Sequence, residues 1–119
     1  METILVVDDE ETIRLLYQEE LQEAGYRVLT APDGAAALAL IGQERPDLIT
    51  LDIKMPGMDG IDLLRRVREV DRRIPIVIST AYGEYKWSDF GVWAADAYVT
   101  KSSDLTELLA KIRELLPHE

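Results

Sequence analysis

Asp52 closes an apolar run, Leu48-Ile49-Thr50-Leu51, and opens a turn, Met55-Pro56-Gly57-Met58-Asp59-Gly60. A carboxylate placed where a buried strand empties into a loop is held rigidly and stays open to solvent and substrate. Three other short apolar runs also end in reactive groups. Ile4-Leu5-Val6-Val7 runs into Asp8-Asp9, Ile76-Val77-Ile78 into Ser79-Thr80, and Tyr98-Val99 leads to Lys101. If these runs lie side by side and parallel, all of those groups meet at one edge of a sheet. The carboxylates would repel one another there, since unit charges about 4 Å apart cost ~4 kcal/mol at an effective dielectric near 20. Protonation relieves this, but a hard divalent cation does so better, and all-oxygen ligands favour Mg²⁺ over Zn²⁺. Mg²⁺ keeps several waters and takes one or two carboxylates plus a substrate phosphate. An ionised Asp52 is already a nucleophile for phosphorus, forming an aspartyl phosphate. The Thr80 hydroxyl can donate to a phosphoryl oxygen, and Lys101 can pair with it as a compact charge.

Each residue alone has a plainer reading. A lone Asp after a strand is commonly a turn or cap residue, and an acidic pair before a helix commonly N-caps it, which Asp9 can do alongside binding a metal. A Thr at a strand end is usually structural and an isolated Lys solvated. The chemistry rests on their joint occurrence in this chain order.

Apolar runs and helical patterns alternate to position these groups. Ile13, Leu16, Tyr17, Leu21 and Ala24 repeat at helical spacing, and Gly25 supplies a stop. Tyr26 to Ala31 reads as a strand. Asp33 can cap a helix over Ala35 to Ile41, which Gly42 ends, and Arg45-Pro46-Asp47 leads into the Leu48–Leu51 strand. A helix with Ile61, Leu64 and Val67 on one face follows Asp59-Gly60. Pro75 introduces the strand Ile76–Ser79, and Glu84 to Ala94 reads as a helix whose period aromatics and Gly91 blur. Ala97–Thr100 is a short strand, and Asp104-Leu105-Thr106-Glu107 forms a capping box for a last helix with a broad apolar face. Nearly unbroken apolar strands separated by helices indicate an α/β fold with a parallel sheet covered on both faces. Ligands of such sheets bind outside the carboxyl ends of the strands, near a topological switch point.

At 119 residues the chain reads as one domain, 1–119, able to bury roughly two-thirds of its unfolded surface. With no cysteine, neither a disulfide framework nor a thiolate metal site is available, which suits a cytoplasmic location. No apolar stretch approaches the ~18 residues of a membrane span. A net charge of -10 argues against direct nucleic-acid binding, because phosphate backbones are held by Lys and Arg.

With these residues in place, the chain resembles, along its whole length, the receiver domains of two-component response regulators, of the chemotaxis-regulator type. The family's acidic pair falls on Asp8 and Asp9, its phosphoacceptor on Asp52, its hydroxyl switch on Thr80 and its lysine on Lys101. The Met-Pro-Gly-Met-Asp-Gly stretch matches the loop after the acceptor, and Tyr98 occupies the aromatic switch position. The resemblance implies a flavodoxin-like, doubly wound five-stranded parallel sheet of five βα units, strand order 2-1-3-4-5. It implies Mg²⁺ or Mn²⁺ held by Asp9, Asp52 and the main-chain carbonyl of Lys54, with Asp8 acting through water. The implied donor is a phosphohistidine of a sensor histidine kinase or phosphotransfer protein in a phosphorelay. Phosphorylation would pull Thr80 inward, Tyr98 would follow, and the face made by the Glu84–Ala94 helix, the Ala97–Thr100 strand and the last helix would switch. The chain would then be no enzyme beyond its own phosphorylation and dephosphorylation. Lys54 and Tyr82 flank the site where the family varies its dephosphorylation rate.

The chain departs from the family in two places. Ser102 follows Lys101 where the family has a cis proline, and a non-proline cis bond costs roughly 3–4 kcal/mol. The aromatics Tyr82, Tyr85, Trp87, Phe90, Trp93 and Tyr98 also crowd one short stretch, with Trp93-Ala94 replacing a small Ala-Gly pair. Half of them can simply pack a helix onto the sheet. The functional alternative is an exposed output surface of Tyr85, Trp87, Phe90 and Trp93 for a partner or a phosphorylation-dependent homodimer. Two rival functions are a haloacid-dehalogenase-type phosphohydrolase and a pseudo-receiver that works without phosphate. The first wants an acid two residues after its Asp nucleophile, where this chain has Lys54, and the second has no use for the full Asp8, Asp9, Asp52, Thr80 and Lys101 set.

Overall fold

The computed structural model describes residues 1–52, 60–80, 95–101 and 104–116. In chain order the elements are β1 (Thr3–Val7), α1 (Glu11–Glu23), β2 (Arg27–Ala31), α2 (Gly34–Glu44), β3 (Leu48–Asp52), α3 (Gly60–Val70), β4 (Ile76–Thr80), β5 (Ala97–Thr100) and α4 (Thr106–Leu115). The strands form one parallel sheet in the order β2-β1-β3-β4-β5, the flavodoxin-like order expected. The helix expected at 84–94 lies outside the described residues.

Alternation along each strand divides the core in two, because successive side chains point to opposite faces. Leu5, Val7, Ile49, Leu51, Ile76 and Ile78 point to the side covered by α2 and α3, where they meet Ala37, Ile41, Leu63, Leu64 and Val67. Ile4, Val6, Leu48, Val77 and Val99 point to the other side, against Tyr17 and Leu21 of α1 and Leu108 and Ile112 of α4. Strands buried on both faces have no polar alternation, which is why they read as continuous apolar runs. Among the described residues no helix is long and apolar enough to cross a membrane.

Local chemistry sets the boundaries. Gly25 follows α1 with φ 101°, a backbone region open to glycine without a Cβ penalty. Asp33 caps α2 as expected, its Oδ1 accepting the Ala36 N–H at 2.8 Å. Gly42, however, does not end that helix, which runs on to Glu44. Glycine inside a helix costs only about 1 kcal/mol against alanine. The chain leaves the helix where sterics require it, at Arg45, because the residue before a proline is pushed out of the right-handed helical region. Arg45 adopts φ 47° and donates its N–H to the Ile41 carbonyl.

The expected capping box at the last helix takes a different form. Helix α4 starts at Thr106 with Leu105 in the cap position, and Asp104 Oδ1 accepts from the Thr106 N–H at 3.0 Å and its hydroxyl at 2.6 Å. The short reach of aspartate favours this turn two residues on. Strand β2 begins one residue later than expected, since the Tyr26 N–H is spent on the Leu21 carbonyl that closes α1. Strands β3 and β4 each extend one residue further than expected, taking Asp52 and Thr80 into the sheet.

Leu51 is buried at the centre of the α2–α3 side and Leu15 of α1 is half exposed, so the same truncation should separate them. Leu51→Ala should lose about 2–5 kcal/mol of unfolding free energy in a denaturant titration, and Leu15→Ala should stay within about 0.5 kcal/mol of the parent.

Candidate functional site

The carboxyl ends of β1, β3 and β5 come together because a parallel sheet points every strand the same way. Asp8 directly follows β1, Asp52 is the last residue of β3, and Lys101 directly follows β5. Lys101 Nζ lies 2.9 Å from Asp8 Oδ2 and 3.0 Å from Asp52 Oδ2, and both carboxylates are 3% exposed. The Glu10 carboxylate reaches the same ammonium from the rim at 3.4 Å. Asp52 is thus less open to solvent than its strand-end position suggested.

Main-chain bonds hold this cluster. The Asp8 N–H donates to the Ala31 carbonyl of β2, and Asp8 Oδ1 accepts the Glu10 N–H at 2.9 Å. From α1, Arg14 Nη1 donates to the Asp8 carbonyl at 2.7 Å. In the sheet, Asp52 pairs in register with Ser79, and Thr80 with Thr100. Behind Ser79, its hydroxyl and that of Tyr17 share a buried hydrogen bond of 2.7 Å.

Burial pushes the Asp8 carboxyl above the usual carboxylate range, against the opposing pull of the Glu10 N–H and the Lys101 ammonium. Burial alone would pull Lys101 down, but its bonds to Asp8 and Asp52 outweigh this and hold it well above the ordinary lysine value. The lysine is therefore a permanent cation here. Burial likewise raises Tyr17.

The capping role expected of Asp9 is not seen. Glu10 occupies the N-cap of α1, without a capping side-chain hydrogen bond, and Asp9 is exposed. Its carboxylate instead joins those of Asp8 and Glu10, with one oxygen from each lying within 4.8 Å of the others. An all-oxygen set mixing a buried and two exposed carboxylates fits a hard divalent cation that retains part of its hydration. Glu10 belongs to this cluster and was missed in the sequence, although the unbroken run Asp8-Asp9-Glu10-Glu11 signalled it. Arg14 and the Tyr17–Ser79 pair were also missed as site residues, because their roles depend on which strands lie behind α1.

Tyr98 is half-buried on the α2–α3 side, packed against that core, and burial raises its hydroxyl's pKa. The side chain of Thr80 and all of Lys54, Tyr82, Tyr85, Trp87, Phe90, Trp93 and Ser102 lie outside the described residues, as does the Lys101–Ser102 bond.

The chain is similar to known proteins over nearly its whole length. The family model for the response regulator receiver domain matches residues 4–113. The chain is 39% identical over 117 residues to the sporulation initiation phosphotransferase F of Bacillus subtilis, covering 98% of this chain and 94% of that protein. It is 41% identical over 114 residues to the alkaline phosphatase synthesis transcriptional regulatory protein PhoP of the same organism, covering 95% of this chain but 48% of that protein. The chain thus spans nearly all of one relative and about half of the other. Among solved structures, the response regulator TrrA of Thermotoga maritima in complex with Mg²⁺-BeF superposes with a TM-score of 0.90 at 45% identity, over 97% of this chain and 99% of that one. A complex of the histidine kinase ThkA with TrrA matches with a TM-score of 0.89 at 46% identity, over 98% of this chain and 99% of the matched one. The sheet order, the family match and the likeness over nearly the full length agree, and this chain belongs to the response regulator receiver domain family of two-component signalling.

Proposed function

We propose that Asp52 is the phosphoacceptor, and that the chain works as a single receiver domain over 1–119 in the cytoplasm. The observation that carries this reading is the Lys101 ammonium held between Asp8 and Asp52 at the sheet edge. An Asp52 oxygen attacks the phosphorus of a phosphohistidine. The P–N bond breaks with its electron pair returning to the imidazole, which takes up a proton, and an acyl phosphate is left on Asp52. Hydrolysis reverses the charge: water attacks phosphorus, the P–O bond to Asp52 breaks, and inorganic phosphate and a proton leave. Catalysis is confined to these two steps on the chain's own carboxylate. Phosphoryl transfer asks mainly for positioning and charge neutralisation, and Lys101 supplies a fixed cation for both.

Asp8, Asp9 and Asp52, with the Lys54 main-chain carbonyl, would hold Mg²⁺ or Mn²⁺, and Glu10 adds a further carboxylate at the rim. When bound, the metal neutralises charge on the phosphoryl oxygens. The all-oxygen donor set supports this, as does the Mg²⁺-BeF complex of TrrA. The donor is a sensor histidine kinase or a phosphotransfer protein, a reading supported by the ThkA–TrrA complex. Thr80 and Tyr98 carry the switch, Lys54 and Tyr82 tune the phosphoryl lifetime, and the aromatic stretch of Tyr85, Trp87, Phe90 and Trp93 serves as output surface, including for a homodimer.

Incubation with acetyl phosphate and Mg²⁺ should add the mass of one phosphoryl group to the intact chain, and Asp52→Asn should add none. Lys101→Ala should slow the gain by at least tenfold, since the acceptor then lacks its fixed cation (a tenfold change corresponds to about 1.4 kcal/mol). Sustained turnover of a generic phosphomonoester would sink the receiver reading in favour of a hydrolase.

Metal binding has a readout independent of phosphorylation. At about a hundred times its dissociation constant, Mg²⁺ should add about 2.7 kcal/mol of stability, seen as a rise in melting temperature. Asp9→Asn should remove most of that rise; an undiminished rise in this variant would place the metal elsewhere.

A further inference from the structure

Two buried hydroxyls lie directly behind the phosphorylation site and take no part in the chemistry described above. Tyr17 and Ser79 are each 2% exposed, and their oxygens are 2.7 Å apart. Burying two polar groups is costly unless each finds a partner, and a Phe and an Ala would fill the same space without that requirement. Packing alone therefore does not call for this pair.

Its location suggests a purpose. Ser79 is the register partner of Asp52 on one side and of Val99 on the other, and it immediately precedes Thr80 at the end of β4. Tyr17 belongs to α1, the helix that starts just after Asp8-Asp9-Glu10. One turn before Tyr17, Arg14 bonds the Asp8 main chain. Helix α1 thus makes two polar contacts, one to the acidic loop and one to the strand carrying Thr80.

We propose that Tyr17 and Ser79 are positioning residues for phosphoryl transfer: their shared hydrogen bond fixes the end of β4, and with it the main chain at Thr80, relative to the Asp8–Asp52–Lys101 cluster. The pair acts through Asp52 and Thr80 and touches neither donor nor metal. This rests on Asp52 being the acceptor.

The test is a double-mutant cycle of Tyr17→Phe, Ser79→Ala and the double variant, each of which keeps the apolar bulk of the site. Circular dichroism first verifies the fold, and phosphorylation is then followed by intact mass with acetyl phosphate and Mg²⁺, both saturating, well below the melting temperature. The net worth of one neutral hydrogen bond sets the expected loss of rate at about three- to tenfold for either single variant. The double variant should be no slower than the slower single one, since both changes remove one interaction. The apparent affinity for Mg²⁺ should stay within about twofold of the parent, a split that a general loosening of the fold would not produce. Rates within about twofold of the parent, losses that multiply in the double variant, or a matching loss of Mg²⁺ affinity would each overturn the proposal. If the parent chain takes up no phosphate, the acceptor reading fails and this proposal falls with it; if the parent is phosphorylated and the variants equal it, this proposal alone fails.

Discussion

The site depends on one constraint: two buried carboxylates from different strands cannot stay ionised side by side without a cation between them. Lys101 meets that need, lying within 3.0 Å of both Asp8 and Asp52 with little of its own side chain exposed. Removing either kind of partner from such an arrangement leaves an uncompensated buried charge, which is far costlier than losing a surface ion pair. The ends of β1, β3 and β5 are therefore bound together by electrostatics as well as by the ladder. Any change of charge at Asp52 therefore acts on the same ammonium that holds Asp8 and Glu10.

The parallel sheet makes this constraint possible. Strands that all run one way bring their carboxyl ends to a single edge, and helices on both faces force the strands to be apolar until that edge. Each strand contributes rigidity up to its last residue and chemistry just beyond it. Extension of β3 through Asp52 and β4 through Thr80 places the main chains of these two residues inside the hydrogen-bonded ladder. Helix α1 then ties the acidic loop to β4 through Arg14 and Tyr17, so loop and strand share one frame.

Much of this was legible in the residues. Apolar runs of two to four residues, each leading to an acid, hydroxyl or lysine, prescribe buried strands with reactive ends. Asp33 and Gly25 mark helix boundaries through chemistry that acts within a few residues. Where local signals competed, the stronger steric or electrostatic demand decided the outcome. Gly42 looked like a stop, yet the helix passed through it and ended at Arg45, because a proline's steric demand on its predecessor outweighs glycine's weak preference. Asp9 looked like a cap, but its position beyond the strand turned it toward the acid cluster.

By itself the sequence determined the element types, the strand-end identities of Asp8, Asp9, Asp52, Thr80 and Lys101, and the oxygen-rich character of the site, since all of these follow from short-range patterning and residue chemistry. Only the tertiary structure decided which groups meet. That Lys101 sits between Asp8 and Asp52, that Glu10 joins them, that Asp52 is covered rather than open, and that Tyr17 reaches Ser79 across 62 positions of chain depend on strand order and helix packing. Contacts of that kind arise between segments far apart along the chain, where spacing carries no signal, and they exist only once the sheet has closed.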